Sequence, residues 1–367
     1  MLYSYTYVPH SMDKMQGYIN FIFTEVWCQA PGKTYDLSLF SGSSEVHEIV
    51  EYFVNQDLAG KTVKSAEFFL IGLNVIFNEF KNLSASDIQT FQNWYSANND
   101  IQHLCENVLA LTPVSYDQLT TSFPDLSKKL KAFFGNLYSG DFLSLKVISD
   151  RVGKIEDHYD CFVTANKKGK CPYCGIFSLD SQYDPSREAY DHYLPKSQYP
   201  FNSINFKNLA PMCEKCNSKN KGVKDPLYAG NGTRRKSFYS YQSNQPRIEI
   251  KVEVQTKNWN QLKPEEIHIR TGPSALRDEI DTWFDVFNLE TRYKALCCKE
   301  AEGKYWIEQV LDECINDGIT PDQFMTTLSR QAQKRPLAEC NFLKKPFLEG
   351  CQSAGLFRSD AFHQMVP

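Results

Sequence analysis

Long apolar runs are missing from this chain. The longest, Phe68 to Phe77, is interrupted by Gly72 and Asn74 and falls far short of the roughly 20 residues that a membrane-spanning helix needs. No membrane span is expected. The N-terminal MLYSYTYVPH has neither the basic start nor the apolar centre of a secretory leader, so the expected location is the cytoplasm. Internal repeats and low-complexity segments are also lacking, which argues against a repeat architecture. Nor does either sign of charge dominate, since the formal net charge is −4 over 367 residues.

What is present suits a globular protein with more than one compact unit. The composition is 42% hydrophobic and 14% aromatic, enough for packed cores, and the length exceeds what one core usually serves. Of twelve cysteines, four form two CxxC pairs, Cys297 and Cys298 are adjacent, and Cys28, Cys105, Cys161, Cys314, Cys340 and Cys351 stand singly. This pattern fits a reducing compartment better than a disulfide framework. The single cysteines are expected to be small buried or half-buried residues.

Periodicity divides the chain into four segments and an α+β, mostly helical class. Residues 1–150 open on the alternating Tyr3, Tyr5 and Tyr7 and then turn helical, with Val46, Ile49, Val50, Phe53 and Val54 on one face and Leu126, Leu130, Phe133, Phe134 and Leu137 on another. Phe68 to Phe80 is apolar nearly all round and is expected at the centre of a core. This segment reads as a regulatory or partner-binding domain. Residues 151–230 include a shift to Gly, Lys, Cys, Tyr and Pro typical of a small loop-rich module. Residues 231–272 begin as a basic linker and then alternate, Ile248 to Val254 and again around Ile267 and Ile269, which predicts two strands of one small sheet. Residues 273–367 return to helix, with a stripe of Leu276, Ile280, Trp283, Phe284 and Phe287 and a later start signal in Thr320, Pro321 and Gln323.

The densest chemistry lies between Cys171 and Gly222. Cys171 and Cys174, and Cys213 and Cys216, each have the spacing at which a tight turn aims two sulfurs at one ion, and four thiolates make a closed, structural zinc site. A redox CxxC would need only one such pair at a strand-to-helix junction. Gly175 and Asn217, each following a pair, suit the turn of a knuckle and the start of a helix. The 38 residues between the pairs should form an element whose ends the metal staples.

That element carries Asp191 and His192 side by side. Neighbours on a strand point to opposite faces, so a carboxylate can face a divalent ion while an imidazole faces a water. Phosphodiester hydrolysis needs this division, a hard cation against the phosphate and a base of near-neutral pKa for the water. Asn217, beside the last zinc cysteine, is the expected amide ligand opposite Asp191. Asn208 is expected to bond backbone groups and hold the strand of His192. Between Cys161 and Ser240 there are thirteen Lys/Arg against six Asp/Glu, about +7, leaving about −11 elsewhere, an asymmetry suited to a polyanion. Lys196, Arg187, Lys207 and Lys224 are candidates to follow a nucleic-acid backbone or equally to be solvated surface charges. His158 and His268 receive no role, and Tyr193 and Tyr199 are expected to pack.

The stretches DHYLPKS, NLAPMC and CEKCN, in this order, resemble the signature of zinc-stapled HNH, or ββα-metal, endonucleases. The resemblance covers about Lys170 to Lys224. It implies an inserted treble-clef-like module of two antiparallel strands and a helix. It also implies structural Zn²⁺ on the four cysteines and catalytic Mg²⁺ or Mn²⁺ on Asp191 and Asn217. His192 would be the general base and Asn208 the central asparagine. The implied activity is metal-dependent hydrolysis of double-stranded DNA to 5′-phosphate and 3′-hydroxyl ends. The motif ends CNSKNKG, one residue longer than the familiar CNxxKG, so Lys219 or Lys221, with Lys196, would contact phosphate. DHYLPKS and the later WFDVFNLETRY are similar to the HNH nuclease subunit of Septu-type bacterial antiphage defence systems, implying an effector with a protein partner such as an ATPase, or a homo-oligomer. Two other readings compete: a non-catalytic zinc-dependent nucleic-acid-binding module, and a nuclease held inactive in a larger complex.

Overall fold

A computed structural model describes residues 1–61, 63–244 and 247–357. Residues 358–367, the end of the expected C-terminal segment, and residues 245 and 246, within the expected 231–272 segment, lie outside them. The chain is mostly helical with two small antiparallel sheets. No helix among the described residues is long and apolar enough to cross a membrane.

Helical periodicity became helices where it was read. Ser44–Leu58 buries Val46, Ile49, Val50 and Phe53, and Pro124–Leu137 buries Leu126, Leu130, Phe133, Phe134 and Leu137. Lys64–Phe80 is central but one-sided, because Ile71 is 53% exposed while Leu73, Ile76, Phe77 and Phe80 are fully covered. Its Gly72 allows the close crossing of Pro124–Leu137, since a Cβ there would stand 2.4 Å from the Phe133 ring. In the C-terminal part, Arg277–Phe287 buries Ile280, Trp283 and Phe287. Thr320 and Gln323 form the expected capping box ahead of Pro321–Lys334. One cysteine departs from expectation: Cys161 is exposed on the outer face of the helix Ile155–Ala165.

Strand β1 (Tyr190–His192) pairs with β2 (Leu209–Pro211), Asp191 opposite Ala210. Strand β3 (Glu249–Val254) pairs with β4 (Ile267–Gly272), Val252 opposite Ile269 and Val254 opposite Ile267. The apolar residues of the second hairpin face the helix Asn341–Ser353, which approaches so closely that a Cβ on Gly350 would meet the Val252 carbonyl at 2.4 Å.

Two apolar clusters sandwich the first hairpin. One, built largely from helices between Met12 and Tyr159, takes in Tyr190, Phe201, Ile204, Phe206 and Leu209. The other joins Met1, Tyr3 and Tyr5 to the four knuckle cysteines, Tyr193, Ala210, Met212 and the C-terminal helices. Alternation along each short strand therefore places successive side chains in different cores.

Candidate functional site

The first knuckle is a tight turn in which the Cys174 and Gly175 amides donate to the Cys171 carbonyl, at 3.3 and 2.7 Å. Gly175 has a φ of +69°, a left-handed value favouring glycine, and a Cβ there would lie 2.3 Å from Leu2. The second knuckle repeats the pattern, with the Cys216 and Asn217 amides donating to the Cys213 carbonyl at 2.9 and 3.0 Å. All four sulfurs are buried and lie within 4.8 Å of one another, Cys174 and Cys213 at 3.9 Å. A tetrahedron with Zn–S bonds of about 2.3 Å has sulfurs about 3.8 Å apart. The four cysteines fit a structural zinc ion.

The C-terminal helices grip this site from outside. Trp283 Nε1 donates to the Tyr173 carbonyl at 2.8 Å, Tyr293 Oη to the Cys174 carbonyl at 3.0 Å, and Arg292 Nη1 to Cys216 Sγ at 3.3 Å. The guanidinium offsets negative charge on buried thiolates, and such outer partners tune a metal site. All three residues belong to the stretch WFDVFNLETRY, but nothing in the sequence alone joins that stretch to the cysteines.

Asn208 performs the backbone task read from the sequence. It is buried, its Oδ1 accepts from the Leu194 amide at 2.8 Å, and its Nδ2 donates to the Leu194 carbonyl at 3.0 Å. This fixes the chain just beyond His192. The connecting loop is moored to the N-terminal half, because Asn202 and Asn205 donate to the Asn98 and Asn99 carbonyls, at 3.1 and 3.3 Å, at the end of Ala85–Asn99. Phe201 adopts a φ of +80° within it, a strained conformation. Its ring is held against Phe23, Tyr95 and Phe134, with centroids 5.3 to 5.5 Å away, and Asn98 Nδ2 donates to the Pro200 carbonyl just before it at 3.1 Å.

The moored loop presents the Ser203 carbonyl to His192 Nε2 at 2.8 Å. A carbonyl only accepts, so Nε2 carries the proton and Nδ1 is the unprotonated nitrogen. The Tyr138 ring meets the half-buried imidazole edge to face at 4.9 Å. Burial pushes the His192 pKa down to about 3; the Ser203 contact opposes this, while Lys196 and Lys221 add to it. The near-neutral pKa expected from the sequence is not found. The imidazole stays in its base form at physiological pH, at the expense of basicity.

Asp191 is buried, and its carboxylate is met by Lys221, not left open to a divalent ion. Lys221 Nζ lies 3.2 Å from Asp191 Oδ1, 3.0 Å from Oδ2 and 2.9 Å from the His192 carbonyl. Burial raises the Asp191 pKa and Lys221 opposes the rise. Among the described residues, the four cysteines are the one compact group of three or more His, Cys, Asp or Glu side chains, and Asp191 belongs to no such group. With Lys221 in place, Asp191 and Asn217 do not fit Mg²⁺ or Mn²⁺. Asn217 sits half-buried at the start of Lys215–Lys221, a π-helical turn closed by the Gly222 amide on the Asn217 carbonyl at 2.7 Å. A π turn absorbs one residue more than an α turn, which accommodates the longer CNSKNKG.

The lysines expected at phosphate divide accordingly. Lys219 is exposed, whereas Lys221 is buried in its ion pair and is corrected from a phosphate contact to an internal cation. Lys196 is corrected too: its Nζ donates to the Gly135 carbonyl at 3.0 Å, at the C-terminal end of Pro124–Leu137, where a cation is favoured. Lys170, Arg187, Lys224, Arg234 and Arg235 also bond within the chain. Seven of the thirteen basic residues in this region thus make hydrogen bonds or ion pairs within the chain, an eighth, Lys168, lies over the Tyr3 ring, and the raw charge excess overstates the free positive surface. The sequence also gave no sign of Glu188, whose pKa burial, with Asp180 and Glu214, raises to about 7.

Compared with known protein families, curated proteins and solved structures, the chain gives no match.

Proposed function

We propose that the chain is an HNH-type phosphodiesterase that hydrolyses DNA, with His192 as general base. The observation carrying this reading is the contact of Nε2 with the Ser203 carbonyl, which commits the other ring nitrogen to accepting a proton. Nδ1 takes a proton from water as the water oxygen bonds to phosphorus. The bond from phosphorus to the 3′ oxygen breaks, that oxygen takes a proton from solvent water to leave as a hydroxyl, and the imidazolium returns its proton to solvent. Asn208 positions the strand and the zinc staple holds its ends. No step is assigned to a divalent ion while Asp191 holds Lys221.

The test is incubation of the zinc-loaded chain with plasmid and Mg²⁺ or Mn²⁺, beside His192→Ala. Nicking or linearisation by the wild type and a loss of at least about 100-fold in the variant are expected, the usual scale for a general base. Equal cleavage by both chains overturns the assignment, and binding without cleavage in any state favours the binding-module reading. The Asp191–Lys221 pair favours one further element, a nuclease restrained until a signal or partner acts, in which case the isolated chain should cut slowly and a releasing partner should speed it. Similarity to the Septu-type nuclease subunit extends the proposal to an effector of antiphage defence working with an ATPase or other subunit.

A further inference from the structure

The cation at Asp191 is already chosen by the fold. Lys221 directs its ammonium at both carboxylate oxygens and at the His192 carbonyl, all within 3.2 Å, and both side chains of the pair are buried. It donates to Asp191 Oδ1 and to the His192 carbonyl, while Oδ2 lies 3.0 Å from the ammonium and accepts no hydrogen bond, so the ammonium is poorly placed to touch a phosphate. A Mg²⁺ ion binds carboxylate oxygen at about 2.0–2.1 Å, within the volume that the ammonium fills. Two cations there would repel strongly in a poorly screened interior. Lys221 and a divalent ion therefore compete for Asp191.

We infer that Lys221 is the resident cation of Asp191 and that a divalent ion reaches this carboxylate only by displacing it. The inference rests on the nuclease reading only for what the ion is for. Release is local: Lys221 ends the π turn Lys215–Lys221, which the amide of Gly222 closes onto the Asn217 carbonyl. The same turn carries Asn217, the amide expected to share the ion with Asp191. A shift of this turn would move the competitor and the second ligand together. By linkage, a metal that expels Lys221 is weakened by Lys221 to the same degree.

Mn²⁺ binding to the full zinc-loaded chain tests this, with free Mn²⁺ read by electron paramagnetic resonance. Lys221→Met should bind Mn²⁺ at least tenfold more tightly than wild type, and Asp191→Asn added to it should abolish the gain. Equal affinity in wild type and Lys221→Met, or a gain that survives Asp191→Asn, overturns the inference. Should Lys221→Met fail to fold, the wild type answers alone: labelling of Lys221 by an amine-reactive reagent, read by mass spectrometry, should rise at least tenfold with Mn²⁺. Labelling that does not respond to Mn²⁺ overturns it. Neither arm reads cleavage. A chain that passes both and cuts no DNA refutes the nuclease reading alone, while one that cuts with Mg²⁺ although neither arm responds refutes the competition alone.

Discussion

Two side chains carry testable chemistry by what they hold. His192 is neutral with its proton on Nε2, so its ring nitrogens should give ¹⁵N shifts of that tautomer and show no titration between pH 5 and 8. An imidazole titrating near 6.5 would contradict the burial described. The same shift makes stability depend on pH. In the unfolded chain a histidine binds its proton near 6.5, whereas folded His192 and His158 wait until about 3 and about 4. Their contribution is complete above 6.5 and is lost as pH falls toward those lower values. The urea midpoint should decline across that window, and less steeply in His158→Gln. Asn208 is tested differently. Replacing it with alanine strips partners from the Leu194 amide and carbonyl, and at about 1–3 kcal/mol for each buried group left unpaired should destabilise by about 2–4 kcal/mol in urea unfolding.

Among the elements, the knuckles and the helices that clasp them should behave as one unit. About one zinc per chain is expected by metal analysis, and Cys216→Ser should lose it together with the fold around it. Arg292→Met leaves every cysteine in place but removes the donor to Cys216 Sγ, so zinc should pass to a chelator several-fold faster than from wild type. Unchanged release would mean that the guanidinium does not support the site. How far these elements were legible depends on their range. The knuckles, the β3–β4 hairpin and the capped helix at Pro321 are written in local spacing and turn chemistry, and the sequence announces them. The π turn is not, because it differs from an α turn by one residue that any polar stretch can supply. It decides that Lys221 faces inward and Lys219 outward. Phe201 is equally silent, since its left-handed backbone is held by aromatic contacts with Phe23, Tyr95 and Phe134 and by the loop bonds to Asn98 and Asn99, all far away in sequence.

Across the whole molecule, the small hairpin is the seam between two apolar clusters and has little core of its own. Tyr190 and Leu209 belong to one cluster, Tyr193 and Ala210 to the other. Two contacts also tie the site to the end of one N-terminal helix: Tyr138 against His192, and Lys196 on the Gly135 carbonyl. Residues 151–230 expressed alone should therefore bind zinc yet show poor dispersion of their amide resonances, while the full chain should unfold with loss of both clusters. Composition indicated enough apolar residues for such cores, but not that they would meet across three-residue strands. The grip on the zinc knuckles also has a direction in time. A ribosome completes Cys216 well before Trp283, Arg292 and Tyr293, so a growing or prematurely ended chain has all four metal ligands without their clasp. Closure comes last, and a truncated product lacks the part that clasps the four-cysteine module.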